Sequence, residues 1–303
     1  MFHGVENLRG HNQVIEMTKE QLEEYVKCSQ SCKYFSKYFY ILQDKVGMAP
    51  MTLRPYQEKE LEVLEANVPG KNNRIIMQGR QTGKTTLATL YLLWLALFNN
   101  DKTIAILANQ ESQALEILDR IAQAILALPL WLQQGINPHR GGWSKHSIGF
   151  DNGTKMFAAA SSSASIRGKT VDYMLVDEFA HLDPGVVEPF MKSVFPTQSS
   201  RSDAKLILIS TPLGMNHFYD IWNKAVNEPE TSNFIPCKIQ WWEVEGRDEE
   251  WKNNIIRNNV DGAKFFAQEY ACLDEDEEIT VRQGGRIFTT TMRELASMIE
   301  AEV

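Results

Sequence analysis

The chain has 303 residues, 43% of them hydrophobic, enough for one sizeable α/β domain with an accessory piece and too much for a small binding module. A formal charge of −8 excludes coating nucleic acid by net charge alone, so DNA contacts have to come from a local basic patch or from partner subunits. Cys28, Cys32, Cys237 and Cys272 lack a paired metal-ligand spacing and read as core or free thiols. With no signal-peptide core in Met1 to Gln13 and no run near the roughly 18 apolar residues of a membrane helix, the reading is a soluble protein in a reducing cytoplasm.

Thr18-Lys19-Glu20-Gln21 reads as a capping box opening a helix that runs to about Gln43, with Tyr34, Phe35, Tyr38, Phe39 and Ile41 as its apolar face. A second helix spans Pro55 to Ala66, and Pro69 to Asn73 is a loop. Strand 74–78 feeds helix 84–98; after the Asn99-Asn100-Asp101 turn come strand Thr103 to Ala108 and helix Glu111 to Leu128. Ser147 to Phe150 and Lys155 to Ala158 form a hairpin across Asn152-Gly153. Strands Tyr173 to Val176 and Lys205 to Ile209 follow, then helix His217 to Asn227, a strand within Phe234 to Trp242, and one or two helices within Asp248 to Tyr270. Such alternation predicts an α/β fold with a mostly parallel, doubly wound sheet and helices on both faces.

Gln78-Gly79-Arg80-Gln81-Thr82-Gly83-Lys84-Thr85-Thr86 stands between a buried strand and a helix start, the context of a phosphate-binding loop. The general pattern wants Gly where this chain has Gln78, and Gly79 comes one place late. The chemistry remains: Gly83 lets backbone amides close on a β-phosphate, Lys84 reaches the β/γ oxygens, and the Thr85 hydroxyl is placed for Mg2+. Arg80 adds a second cation, able to touch a γ-phosphate or sense its loss. Asp177, closing the apolar strand Tyr173-Met174-Leu175-Val176, presents a carboxylate to the metal, and Glu178 can polarise the attacking water. This pairing reads as a nucleotide hydrolase.

Three further signals are weaker alone. Ile166-Arg167-Gly168-Lys169 follows a Ser-rich loop and can place the Arg167 guanidinium at a neighbouring subunit's γ-phosphate. In Leu53-Arg54-Pro55-Tyr56-Gln57, Gln57 offers two-point hydrogen bonding to adenine and Tyr56 a stacking face. Ser210-Thr211 ends a strand where ligands gather in doubly wound sheets, so its hydroxyls can sense a γ-phosphate.

From about Cys28 to Tyr270 the chain resembles the ATPase half of the large terminase subunit of tailed phages. The resemblance rests on the irregular loop 79–86, the hairpin ending near Phe157, Ala160-Ser161-Ser162 with Ile166-Arg167-Gly168, Leu175-Val176-Asp177-Glu178, and Ser210-Thr211-Pro212 before Asn216-His217-Phe218-Tyr219. It implies a RecA/ASCE-type P-loop NTPase core over 51–235, with a small lid subdomain built from 1–50 and 236–271. It implies ATP bound by Gln57 and by Gly79, Arg80, Gln81, Thr82, Gly83, Lys84, Thr85 and Thr86, with Mg2+ at Thr85 and Asp177. Glu178 would be the catalytic carboxylate, Arg80 a phosphate contact, Arg167 a trans-acting finger in a ring, and Ser210-Thr211 the motif coupling hydrolysis to movement. The implied work is ATP-driven translocation of double-stranded viral DNA into the procapsid, in the host cytoplasm. Portal protein, small terminase subunit and other copies in a ring would be the partners, and the motor would not stay in the mature virion. Family members normally continue into an RNase H-type nuclease. No such domain fits after Tyr270, so the chain is expected not to cut DNA by itself.

The stretch from Cys272-Leu273 through Ile279-Thr280-Val281 to Glu300 resembles the N-terminal fragment of a split intein. That resemblance implies Cys272 as nucleophile of an N-to-S acyl shift on the Ala271 carbonyl, and a separate nuclease chain carrying the intein C-fragment. The plain alternative is a helix-end core cysteine followed by a charged linker. Two rival functions stay open. A superfamily 2 helicase shares these motifs, although Asp177-Glu178-Phe179-Ala180-His181 does not put His where the helicase box has it. An ATP-gated assembly module would bind nucleotide with little turnover.

Overall fold

The computed structural model describes residues 5–43, 47–199, 203–271, 278–283, 286–291 and 294. Its first helix opens on the expected capping box, with Thr18 Oγ1 accepting from the Gln21 amide and Gln21 Oε1 from the Thr18 amide. The helix is shorter than its periodicity suggests. Helix α1 (Lys19–Gln30) stops where Ser31 turns extended, and the Ser31 hydroxyl then caps the separate short helix α2 (Cys32–Phe35). The chain next leaves helix altogether, as β1 (Tyr40–Gln43) pairs antiparallel with β2 (Gly47–Pro50). The expected single helix to Gln43 is therefore corrected. A serine able to bond its own backbone neighbours interrupts it, and Tyr40-Ile41 are residue types that favour a pleated partner. Phe35 and Phe39 are nonetheless buried.

Helix α3 (Pro55–Glu65) starts on a proline whose missing N–H costs nothing in a first turn. The alternating pattern then runs as expected through β3 (Asn73–Gln78), α4 (Lys84–Phe98), β4 (Thr103–Ala108), α5 (Glu111–Ala127), β5 (Ser147–Gly149) and β6 (Lys155–Ala160). It continues through α6 (Ser163–Ile166), β7 (Tyr173–Asp177), α7 (Pro184–Ser199), β8 (Lys205–Ser210), α8 (His217–Asn227) and β9 (Phe234–Ile239). Helix α7 has no counterpart in the sequence reading; Pro184 suits its first turn, but Pro189 and Pro196 lie further in, where proline disfavours a helix. Its Val187, Phe190 and Val194 are buried at helical spacing, so packing outweighs the prolines.

Seven strands form one sheet in the order β5-β6-β4-β7-β8-β3-β9, parallel except for the edge hairpin β5–β6. Alternate residues along each strand supply opposite faces. Ile76, Ile104, Ile106, Leu175, Ile207 and Ile209 pack with α4 and α5. Ile75, Met77, Ala105, Leu107, Met174, Val176, Leu206 and Leu208 face α7 and α8 on the other side. Each such side chain taken fully out of water contributes about 1.5–3 kcal/mol before entropy is counted.

The segments expected to form a lid bury their apolar groups separately. Leu8, Cys28, Cys32, Phe35 and Phe39 join the core under α4. After β9, a short turn at Trp241–Glu243, helices α9 (Glu249–Asn258) and α10 (Gly262–Phe266), and a single wide turn at Ala267–Ala271 gather Trp241, Phe266, Tyr270 and Ala271 into their own cluster. Beyond it, β10 (Glu278–Gln283) and β11 (Arg286–Thr291) form an antiparallel hairpin. Cys272, the expected splicing nucleophile, lies outside the described residues.

Candidate active site

Three strands end side by side. Met77 of β3 is in register with Ser210 of β8, and Asp177 of β7 with Ile209. The carboxyl ends of β3, β7 and β8 therefore open onto one crevice, the position where doubly wound sheets bind ligands. The loop after β3 is held in shape by its own polar groups. Thr82 Oγ1 donates to the Gly79 carbonyl, and the Tyr56 hydroxyl donates to the Thr82 carbonyl at 2.8 Å. Gly83 takes a left-handed backbone, φ 84°, which a side chain would disfavour, and so turns the chain into α4. The first amides of α4 have no partner within the helix and point at a cavity of about 710 Å3, lined among others by Gln81, Gly83, Lys84, Thr85, Thr86 and Glu178.

Charge is arranged around that cavity in two layers. Lys84 Nζ stands 2.8 Å from Glu178 Oε1, and the Thr85 hydroxyl donates to Asp177 Oδ2 at 3.1 Å. Neither Lys84 Nζ nor Glu178 Oε2, both buried atoms, has an aligned hydrogen-bond partner. Burial raises the Glu178 carboxyl, but the Lys84 ammonium, aided by His181 and the Thr211 backbone, outweighs that and leaves it below the ordinary carboxylate value. Asp177 is shifted the other way, by burial first and the Glu178 charge second. The Asp177 carboxylate beside the Thr85 hydroxyl is an oxygen donor set that fits Mg2+, which takes oxygen ligands from one or two carboxylates and from phosphates, and a bound cation would offset the burial and the Glu178 charge that raise Asp177.

The remaining predicted residues fall into three groups. Gly79 and Arg80 are gripped by the segment after β9. The Arg80 amide donates to the Glu269 carbonyl at 2.8 Å, the Arg80 guanidinium is ion-paired with the Glu269 carboxylate, and Arg247 Nη2 donates to the carbonyls of Arg80 and Gln81. At Gly79 a β-carbon would stand 3.0 Å from Tyr270 backbone atoms, so only glycine lets the segment approach this closely. Ser210 and Thr211 are buried at the end of β8. The Ser210 hydroxyl accepts from the Ala180 amide at 3.1 Å, and Thr211 Oγ1 lies 2.9 Å from His181 Nε2.

Gln57 and Arg167 stand apart from the cavity. Gln57 is 5% exposed, and its Oε1 accepts from the Arg54 amide at the start of α3. One of the two points expected to meet adenine is thus engaged within the chain. Its Nε2 lies against Gly83. Arg167 is exposed on the loop after α6 and does not line the chain's own cavity.

The structure adds residues that motif reasoning did not place. Asn109, Gln113 and Arg120 line the cavity from the α5 side. Gln78, the residue where the loop pattern wants glycine, is fully buried and donates through Nε2 to both Glu60 oxygens, at 3.2 and 3.1 Å. Complete burial pushes the Glu60 carboxyl up to about 8, only partly countered by Gln78 and Lys84. A carboxyl raised in the folded state stabilises the fold fully below its unfolded value, near 4.5, and loses that contribution as pH rises through about 8. Glu60→Gln should therefore flatten the dependence of melting temperature on pH between those limits and melt higher than the parent at pH 8. A parent whose melting temperature does not decline over that window would contradict the assignment.

Comparison with known proteins bears on the family and the fold. Residues 75–295 match the family described as terminase large subunit, T4likevirus-type, N-terminal. Among solved structures, the large terminase of bacteriophage HK97 superposes with a TM-score of 0.66 at 17% identity, covering 84% of this chain and 56% of that one. The ATPase domain of the large terminase of Thermus phage P74-26 gives 0.50 at 21% identity, covering 72% of this chain and 98% of that one. The large terminase of the thermophilic bacteriophage D6E, solved in complex with ADP, gives 0.55 at 13% identity, over 80% of this chain and 70% of that one. At such identities the superpositions speak for the α/β fold alone, and this chain spans 56% of the length of the HK97 protein. With the family match extending over residues 75–295, the chain belongs to the T4likevirus-type terminase large subunits, in their N-terminal region.

Proposed function

We propose that this chain is the ATP-hydrolysing motor domain of a phage DNA-packaging machine, converting ATP hydrolysis into movement of double-stranded viral DNA into the procapsid. The observation that carries the reading is the meeting of Lys84 with Glu178 and of Thr85 with Asp177 at one sheet edge, across residues far apart in the chain. Lys84 and the first amides of α4 neutralise β- and γ-phosphate oxygens, and Glu178 accepts a proton from the attacking water. Thr85 and Asp177 would hold magnesium, which would supply positive charge to the phosphate groups when bound.

Arg167, exposed and away from its own cavity, suits action at a neighbouring copy's nucleotide in a ring. The portal protein, the small terminase subunit and DNA are the expected partners, and the complex would act transiently at the portal in the host cytoplasm. Phosphate release by the chain with magnesium and ATP, with and without double-stranded DNA, tests the reading. Absence of turnover with intact nucleotide binding would favour the assembly-module alternative.

For the tail, a second proposal is that Cys272 initiates trans-splicing to a separate chain. It is supported by the β10–β11 hairpin, whose first strand carries Ile279-Thr280-Val281. The family match running on to residue 295 weighs against it. Mixing with a matching intein C-fragment should ligate the two chains, and Cys272→Ala should abolish ligation; a product that survives the substitution ends the proposal.

A further inference from the structure

His181 lies between the catalytic carboxylate and the end of β8, and nothing above gives it a task. Glu178 adopts a left-handed backbone, φ 52°, ψ 42°, unusual for a residue with a side chain. A single tight turn, Phe179–His181, follows and folds the imidazole back over it, with the His181 amide donating to the Glu178 carbonyl at 2.9 Å. The backbone of this turn is tied down by the next strand and helix. Ser210 Oγ accepts from the Ala180 amide, Asn216 Nδ2 donates to the Ala180 carbonyl at 2.8 Å, and His217 Nε2 donates to the Phe179 carbonyl at 2.8 Å. The strained placement of Glu178 is thus maintained from outside the turn, and the imidazole is left as its adjustable part.

With its Nε2 protonated, the imidazole has two acceptors within reach. His181 Nε2 is 2.9 Å from Thr211 Oγ1 and 3.7 Å from Glu178 Oε2, the buried oxygen that has no hydrogen-bond partner. The other carboxylate oxygen of Glu178 is held by Lys84. Lys84 also has to serve the phosphates of a bound nucleotide, and its single ammonium cannot satisfy both at full strength. When it turns to phosphate, the buried Oε2 of the half-buried Glu178 is left with reduced compensation, and a buried charged atom without a donor is costly. Besides the Thr211 backbone amide, which already acts on this carboxylate, His181 carries the side-chain N–H placed to take over from Lys84.

We propose that His181 is a positioning residue that exchanges partners, from Thr211 Oγ1 to Glu178 Oε2, when Lys84 leaves Glu178 for a bound phosphate, and thereby reports nucleotide occupancy to the end of β8. The inference rests on the ATPase reading above. The exchange keeps Glu178 aimed at the water during turnover and frees the Thr211 hydroxyl in the same event. No bond other than hydrogen bonds changes, so the device is reversible and resets when phosphate departs.

The test is imidazole 15N NMR on the full chain with magnesium and adenosine 5′-(γ-thio)triphosphate, using His181→Gln to assign the signal among the six histidines. The His181 Nε2 resonance should move on nucleotide addition in the parent and stay still in Lys84→Ala. In Thr211→Val it should start near its nucleotide-bound position. In steady-state kinetics, His181→Ala should lower kcat about tenfold or more while KM for ATP changes by less than about threefold, with His181→Gln recovering part of the loss because its amide can donate from a similar place. An unmoved His181 signal while a fluorescent nucleotide binds normally, or a kcat for His181→Ala within about twofold of the parent, overturns the relay and leaves the ATPase reading standing. Failure of the parent to bind nucleotide overturns both.

Discussion

Lys84→Ala should reduce ATP turnover by about 10²–10³-fold and weaken nucleotide binding as well. The double effect follows from where the ammonium sits. It is the cation facing Glu178, whose neighbour in sequence is Asp177. Removing it leaves the buried Asp177 and the half-buried Glu178 at one strand end with their main counter-charge gone. They repel each other and any incoming triphosphate, and the developing charge on the transferred phosphoryl group loses its principal neutraliser. Fluorescent-nucleotide titration and phosphate release, measured on the same preparation, separate the binding loss from the turnover loss. Turnover within about threefold of the parent would remove Lys84 from the phosphate-binding role.

Glu178→Gln should separate binding from chemistry in the opposite way. Glutamine keeps the size and the hydrogen-bonding reach but cannot take a proton, so hydrolysis should fall about 10²–10⁴-fold, the usual worth of a general base. Binding should hold or tighten. Lys84 no longer has a carboxylate competing with phosphate for its ammonium, and a negative charge has been taken from the cavity wall. A co-purified or slowly released nucleotide in Glu178→Gln, absent from Lys84→Ala, is the pattern that distinguishes a catalytic carboxylate from one that merely fixes the lysine. Equal loss of affinity in the two variants would assign Glu178 the structural task alone.

Much of the scaffold was legible because buried parallel strands and amphipathic helices leave strong periodic marks. Strands at 73–78, 103–108, 173–177 and 205–210, and helices at 84–98, 111–127 and 217–227, agree with the pattern to within a residue or two. The misses have physical causes. The helix expected to reach Gln43 ends at Gln30, because Ser31 satisfies neighbouring backbone groups locally and the aromatic run that follows packs equally well from a turn and a strand. Helix α7 forms against the two interior prolines, Pro189 and Pro196, because Val187, Phe190 and Val194 reach the sheet.

Single-residue roles were harder to read than elements. The departure at Gln78 looked like a flaw in a phosphate loop, yet the amide is a buried partner of Glu60 from a helix 18 positions earlier. Arg80 looked free to meet a γ-phosphate, yet it is paired with Glu269, a residue from the other end of the domain. No spacing rule connects either pair, because each contact crosses between elements whose relative placement depends on the whole sheet order.

By itself, the amino-acid sequence determined the chemical inventory: a glycine-bearing loop between strand and helix, a lysine and a threonine at the helix start, and two acids at the end of a later apolar strand. Those are local facts, set by propensity and by the polarity of consecutive residues. Tertiary structure alone decided which groups meet, since the order β7-β8-β3 and its register bring Asp177, Ser210 and Gln78 to one edge. It also decided that Glu178 answers to Lys84 on one side and His181 on the other, a balance of burial and opposed charges that exists only once the strands are side by side.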